Sequence, residues 1–142
     1  MQILEIGTDA RALAKASEKE CNPKGDARIH DASGKHLLLT LAGCKSAILN
    51  DMDALGDLTR KAAEATGATV LNMCVQPFAP QGVTAVAILA ESHASLHTYP
   101  EANLVFWDCF TCGNTCEPEK SISVLQDALD ADSVTFQVVA RS

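Results

Sequence analysis

No apolar run in this 142-residue chain approaches the roughly 20 residues needed to span a bilayer; the longest, around Val83 to Ala90, stops far short. A membrane is therefore not an expected partner. Basic residues are also scarce, with 11 Lys and Arg against 18 Asp and Glu and a net charge of -7. Binding a nucleic-acid backbone needs clustered cations, so nucleic acid is not expected either. The start Met1-Gln2-Ile3-Leu4-Glu5 has neither the basic residues nor the apolar segment of a secretory leader. A cytoplasmic location is expected, where the six cysteines would remain free thiols. Solenoid-type repeats and low-complexity tracts are absent too.

What is present is a 47% hydrophobic, 20% charged chain, the profile of one globular domain. Residues 1–33 stand apart as an N-terminal extension. They hold a possible short helix from Asp9 to Lys19 and a turn-rich stretch from Cys21 to Asp26. The regular domain is expected over 34–142. His36 to Leu41 reads as a buried strand. Asn50 or Asp51 caps a helix with Leu55, Leu58, Ala62 and Ala65 at helical spacing, and Gly67 stops it. Strands follow at Thr69 to Gln76 and Val83 to Ala90, joined by the Pro77 to Gly82 turn, and then at Ser95 to Tyr99 and Asn103 to Thr111. Pro118 opens a second helix bearing Ile122, Leu125 and Leu129, and Ser133 to Ala140 closes the domain. This β-α-β-β-β-β-α-β order predicts an α/β two-layer sandwich of the α+β type: a largely antiparallel sheet with two helices on one face.

Ionisable groups are densest in Glu91-Ser92-His93-Ala94-Ser95-Leu96-His97-Thr98-Tyr99-Pro100-Glu101. The two-residue period of a strand sets His93, Ser95, His97, Tyr99 and Glu101 on one face, with Ala94, Leu96 and Thr98 on the other. A solvent-facing strand with two surface histidines explains this as well as a functional site does. A catalytic zinc would need a third ligand beside His93 and His97. A second cluster, Cys109-x-x-Cys112 with Cys116 nearby, superficially matches a redox or metal motif. Its first cysteine, however, lies inside an apolar strand rather than at a helix start. Cys21, Cys44, Cys74 and Cys109 read as packing or surface residues, whereas Cys112, beside Gly113 at a strand end, is better placed to react.

Gly34-Lys35-His36-Leu37-Leu38, the turn Pro80-Gln81-Gly82-Val83, Ala90-Glu91-Ser92-His93 through His97-Thr98-Tyr99-Pro100-Glu101, and Phe110-Thr111-Cys112-Gly113 occur in the order and at the spacing of one family. From about residue 34 to the end, the chain resembles the short prokaryotic pyruvoyl-dependent S-adenosylmethionine decarboxylase proenzymes.

The resemblance implies self-cleavage between Glu91 and Ser92 into chains 1–91 and 92–142. Ser92 would become a pyruvoyl group that forms a Schiff base with the substrate amine, so that neither metal nor pyridoxal phosphate is needed. It further implies that His97 transfers protons during processing. Thr84 supports processing where the family usually has serine, and its hydroxyl still hydrogen-bonds. Cys112 is implied as the proton donor in decarboxylation. Phe78 and Tyr99 would flank the adenine, with Tyr99 replacing a frequent tryptophan, and Glu101 would hold the ribose hydroxyls. Ala94 is smaller than the usual aliphatic residue, with a possible effect on pocket size. A homodimer with sites drawn from both protomers is expected, and the product would feed spermidine biosynthesis as an aminopropyl donor. Three other readings stay open: a pyruvoyl-dependent ornithine or arginine decarboxylase, a non-catalytic activating subunit, and a metal or redox protein built on Cys109, Cys112 and Cys116.

Overall fold

The computed structural model describes residues 2–7 and 32–142. The helix expected over residues 9–19 and the turn-rich stretch 21–26 lie outside these. The strands are β1 (Gln2–Gly7), β2 (Gly34–Ala42), β3 (Val70–Pro77), β4 (Val83–Leu89), β5 (Ser92–Tyr99), β6 (Leu104–Cys112) and β7 (Ser133–Arg141); the helices are α1 (Met52–Ala65) and α2 (Ser121–Leu129). The strands form one sheet in the order β1-β7-β2-β6-β5-β4-β3, and every neighbouring pair is antiparallel.

Alternation along the strands divides the sheet into two unlike faces. In register across β2, β6, β5 and β4 run Leu37-Cys109-Ala94-Ala87, then Leu39-Trp107-Leu96-Ala85, then Leu41-Val105-Thr98-Val83. All twelve side chains are buried. Helix α1 covers this face with Leu55, Leu58, Thr59, Ala62 and Ala63, whose spacing makes one stripe. Ala63 takes the buried place expected of Ala65, which is only half-buried. Helix α2 adds Ile122, Leu125 and Leu129 to the same core. Trp107 is tied across the layer by its indole N–H, which donates to Ser121 Oγ at 3.0 Å.

The two candidate caps divide the work. Asp51 Oδ1 accepts from the N–H groups of Asp53 and Ala54 and starts α1. Asn50 instead accepts from the Gly82 N–H at 2.8 Å, pinning the turn between β3 and β4. Gly67, at φ 89°, ends the helix as expected. Strand β1, within the segment read as an N-terminal extension, was not expected; beyond shifts of one or two residues elsewhere, three boundaries differ from the sequence reading. Strand β5 begins at Ser92 rather than Ser95, because pairing with Leu89 and Thr111 extends to the turn. Glu101 is not on β5 but in a 3₁₀ turn, Pro100–Ala102, since Pro100 has no N–H to continue the ladder. Pro118 likewise opens a 3₁₀ turn, and α2 starts only at Ser121.

Candidate active site

The opposite face of the sheet carries the polar and reactive groups. At one end is the tight β4–β5 connection. Its backbone is held on two sides: the Ala90 N–H donates to Thr69 O at 2.9 Å, and the Cys112 N–H of β6 donates to Glu91 O at 2.8 Å. The Glu91 carboxylate accepts from the Thr69 N–H at 2.9 Å. Ser92 follows at φ 153°, a backbone conformation that is strained for any residue with a β-carbon. Its hydroxyl lies 3.0 Å from His93 Nδ1. Glu91, Ser92 and Cys112 are thus assembled at one corner.

This corner contains an electrophile and a nucleophile. The Cys112 N–H pulls electron density from the Glu91 carbonyl, and the Ser92 hydroxyl belongs to the very next residue. A backbone donor at a carbonyl oxygen stabilises the negative charge that develops there on attack. Any residue other than proline at position 112 would leave that donor in place.

The other end of β5 holds a second cluster. Thr84 Oγ1 and His97 Nδ1 are hydrogen-bonded across the β4–β5 pair. His97 packs against Tyr99 with ring centroids 4.6 Å apart and against Phe78 at 5.8 Å. Tyr99 meets Phe106 edge-on at 5.7 Å. Phe78, Tyr99 and Phe106 are 48%, 40% and 38% exposed, so this aromatic group offers its faces to a ligand or partner rather than to the core. Glu101 stands beside it, with Oε2 accepting from Gln81 Nε2 at 3.1 Å.

The two clusters do not meet. Ser92 and His97 are five residues apart on one strand, about 16 Å at a strand's rise per residue. Between them the sheet face exposes Leu38 and Ile88. Beside His93 lie His36 and Phe110, with the Arg141 guanidinium 4.4 Å over the Phe110 ring. Burial is the main influence on His36 and lowers its pKa below 6.5, while Asp108, with Oδ1 3.6 Å from Nε2, pulls the other way.

One expectation needs correction, and the discounted Cys-x-x-Cys match is shown not to be a motif. Ala94 does not line this face: it is fully buried on the helix side, between Ala87 and Cys109 in the register, so its small size bears on the core. The Cys109-x-x-Cys112 spacing does not make a paired motif. Residues three apart on a strand point to opposite faces; Cys109 is buried in the core with its thiol pushed up to about 12 by desolvation, whereas Cys112 lies on the reactive face. Cys116 is also buried, and no group of three or more potential metal ligands occurs among the described residues. Sequence reasoning missed the Cys112 N–H, the Ser92–His93 contact and Phe106. Alternation on β6 was the one available signal, and only for Phe106.

Comparison with known proteins sets this geometry in context. The sequence model of the S-adenosylmethionine decarboxylase family matches residues 35–142. An S-adenosylmethionine decarboxylase proenzyme of Parasynechococcus marenigrum is 47% identical over 98 residues, covering 69% of this chain and 77% of the relative. One from Methanococcus vannielii is 43% identical over 108 residues, covering 76% and 88%. The crystal structure of the adenosylmethionine decarboxylase from Aquifex aeolicus superposes with a TM-score of 0.69 at 28% identity, covering 76% of this chain and 89% of that one.

Proposed function

Because the chain belongs to the S-adenosylmethionine decarboxylase family, we propose that it cuts itself between Glu91 and Ser92 and decarboxylates its substrate with a pyruvoyl group made from Ser92. The activity is that of a carboxy-lyase converting S-adenosylmethionine to its decarboxylated form. A substrate such as ornithine or arginine gains no support from the relatives, which carry the S-adenosylmethionine decarboxylase name.

The observation that carries the self-cleavage is the hydrogen bond from the Cys112 N–H to Glu91 O, at 2.8 Å, immediately before a serine held at φ 153°. The donor polarises the bond to be attacked. Strain in the residue that follows is relieved once that peptide bond is gone. The corner therefore fits the precursor of a pyruvoyl group. Such a group supplies a carbonyl that binds the substrate amine and accepts the electrons released as carbon dioxide leaves.

The remaining roles fall to side chains on the same face. Cys112 returns a proton to the substrate carbon. His97, hydrogen-bonded to Thr84, transfers protons during processing. Phe78 and Tyr99 flank the adenine, Phe106 supports Tyr99 from its edge, and Glu101 accepts from the ribose hydroxyls. Exposed aromatic rings and a carboxylate also suit a cationic sulfonium.

A gap of about 16 Å between Ser92 and His97 is too long for one compact site. We therefore infer a homodimer in which Ser92 and Cys112 of one protomer face Thr84, His97 and the aromatic group of the other. A two-fold axis brings opposite ends of β5 together twice and makes two equal sites. The exposed Leu38, Ile88, Tyr99 and Phe106 support burial of this face.

The deciding experiment is the denatured intact mass, with and without S-adenosylmethionine and a trapping reductant. Chains 1–91 and 92–142, with substrate mass added only to the second, are expected. A single uncleaved 15.0 kDa chain would overturn the reading.

A further inference from the structure

Self-cleavage begins when the Ser92 hydroxyl gives up its proton as its oxygen attacks the Glu91 carbonyl carbon. His97 of the same chain is out of reach, and the His97 that a second protomer would bring is bonded to Thr84 through Nδ1. The group that meets the hydroxyl is the neighbouring ring: Ser92 Oγ and His93 Nδ1 are 3.0 Å apart. Adjacent side chains on a regular strand point to opposite faces. Their meeting here depends on the φ of 153° at Ser92, the same distortion that marks the bond to be cut. Resting on the self-cleaving reading above, we propose that His93 is a catalytic residue of self-cleavage, the base that takes the Ser92 hydroxyl proton.

In the tautomer with its proton on Nε2, His93 accepts from the hydroxyl at Nδ1. The Oγ–C bond to Glu91 forms and the Glu91–Ser92 C–N bond breaks. The proton held on Nδ1 passes to the departing Ser92 nitrogen, which leaves as a neutral amine. An ester links the two residues, no atom is lost, and His93 returns to its neutral form.

The surroundings hold the ring in this role. His36 packs edge-on against it with centroids 6.4 Å apart, and Phe110 lies at 6.0 Å. His36 Nε2 is buried without a hydrogen-bond partner and lies 3.6 Å from Asp108 Oδ1. Burial lowers the pKa of that imidazole, which disfavours a positive charge on His36 beside the ring that must accept a proton. His93 itself is exposed in the single chain.

The test follows cleavage of freshly made full-length chain by denatured mass for wild type, His93→Ala and His93→Asn. Asparagine retains a hydrogen-bond acceptor but is no base. Both variants are expected to cleave about a hundredfold more slowly, the scale of a lost general base. Added imidazole should speed His93→Ala. Neither variant should accumulate a species that hydroxylamine splits, because the arrest precedes the ester. Thermal melting monitors folding, and if His93→Ala does not fold, His93→Asn decides alone. A folded variant that cleaves at the wild-type rate, or that accumulates hydroxylamine-sensitive ester, overturns the role of His93. A wild-type chain that never cleaves overturns the self-cleaving reading itself, a separate outcome.

Discussion

A mixture of two inactive variants should regain activity if each site is shared between protomers. Ser92→Ala removes the precursor at one end of β5, and His97→Ala removes the imidazole at the other, about 16 Å away. Each homodimer then carries two defective sites. In a heterodimer of the two variants, one site combines both substitutions, while the other combines intact Ser92 of one chain with intact His97 of its partner. Random assortment makes half of all dimers mixed, each with one working site of two, so co-expression should restore about one quarter of wild-type activity. The assay is carbon dioxide release from S-adenosylmethionine by the co-expressed pair, with the fraction of cleaved chain read by mass. Only the His97→Ala chain should be cut. If both residues of a site came from one chain, every site would hold one defect. Restored activity near zero in verified heterodimers would refute the shared site.

Three further outcomes test other parts of the structure. Cys112→Ala keeps the backbone N–H on Glu91 O and should still cleave, while decarboxylation falls about 10²-fold with loss of the proton donor; comparing cleaved fraction with carbon dioxide release checks this, and a block in cleavage would contradict it. Leu96→Ala removes a fully buried side chain at the centre of the sheet and should cost about 2–5 kcal/mol in a urea titration. His36 makes stability pH-dependent: with its folded pKa held below 6.5, the unfolded chain binds the proton more readily, so its contribution is complete above 6.5 and is lost as pH falls through the lowered value. His36→Asn should therefore lose less stability than wild type between about pH 7.5 and about pH 5, as read from urea midpoints; equal losses would remove His36 from the account.

Much of the architecture was legible because its signals are local. A buried strand of alternating leucines, an acidic cap before an apolar stripe, and a glycine after it need no knowledge of distant residues. Strand β5 shows both the reach and the end of such reasoning. Alternation correctly put Ala94, Leu96 and Thr98 inside and His97 and Tyr99 outside. It failed at both ends, where pairing drew Ser92 into the strand and Pro100 removed Glu101 from it. The Cys-x-x-Cys spacing was rightly discounted, because it is a local pattern whose meaning depends on whether the backbone is helical or extended, and β6 is extended.

By itself, the sequence determined the periodicities, the order of elements from residue 34 onward and the family resemblance, since all three are properties of residues near one another in the chain. Only the tertiary structure decided which backbone N–H touches the Glu91 carbonyl, which imidazole touches Ser92, and that the Ser92 and His97 groups stand apart. Those facts depend on the register between strands, on one distorted φ angle and on the length of β5. The first two are set by packing the whole sheet against its helices, and the third follows from five residues of extended chain once pairing has drawn Ser92 into β5.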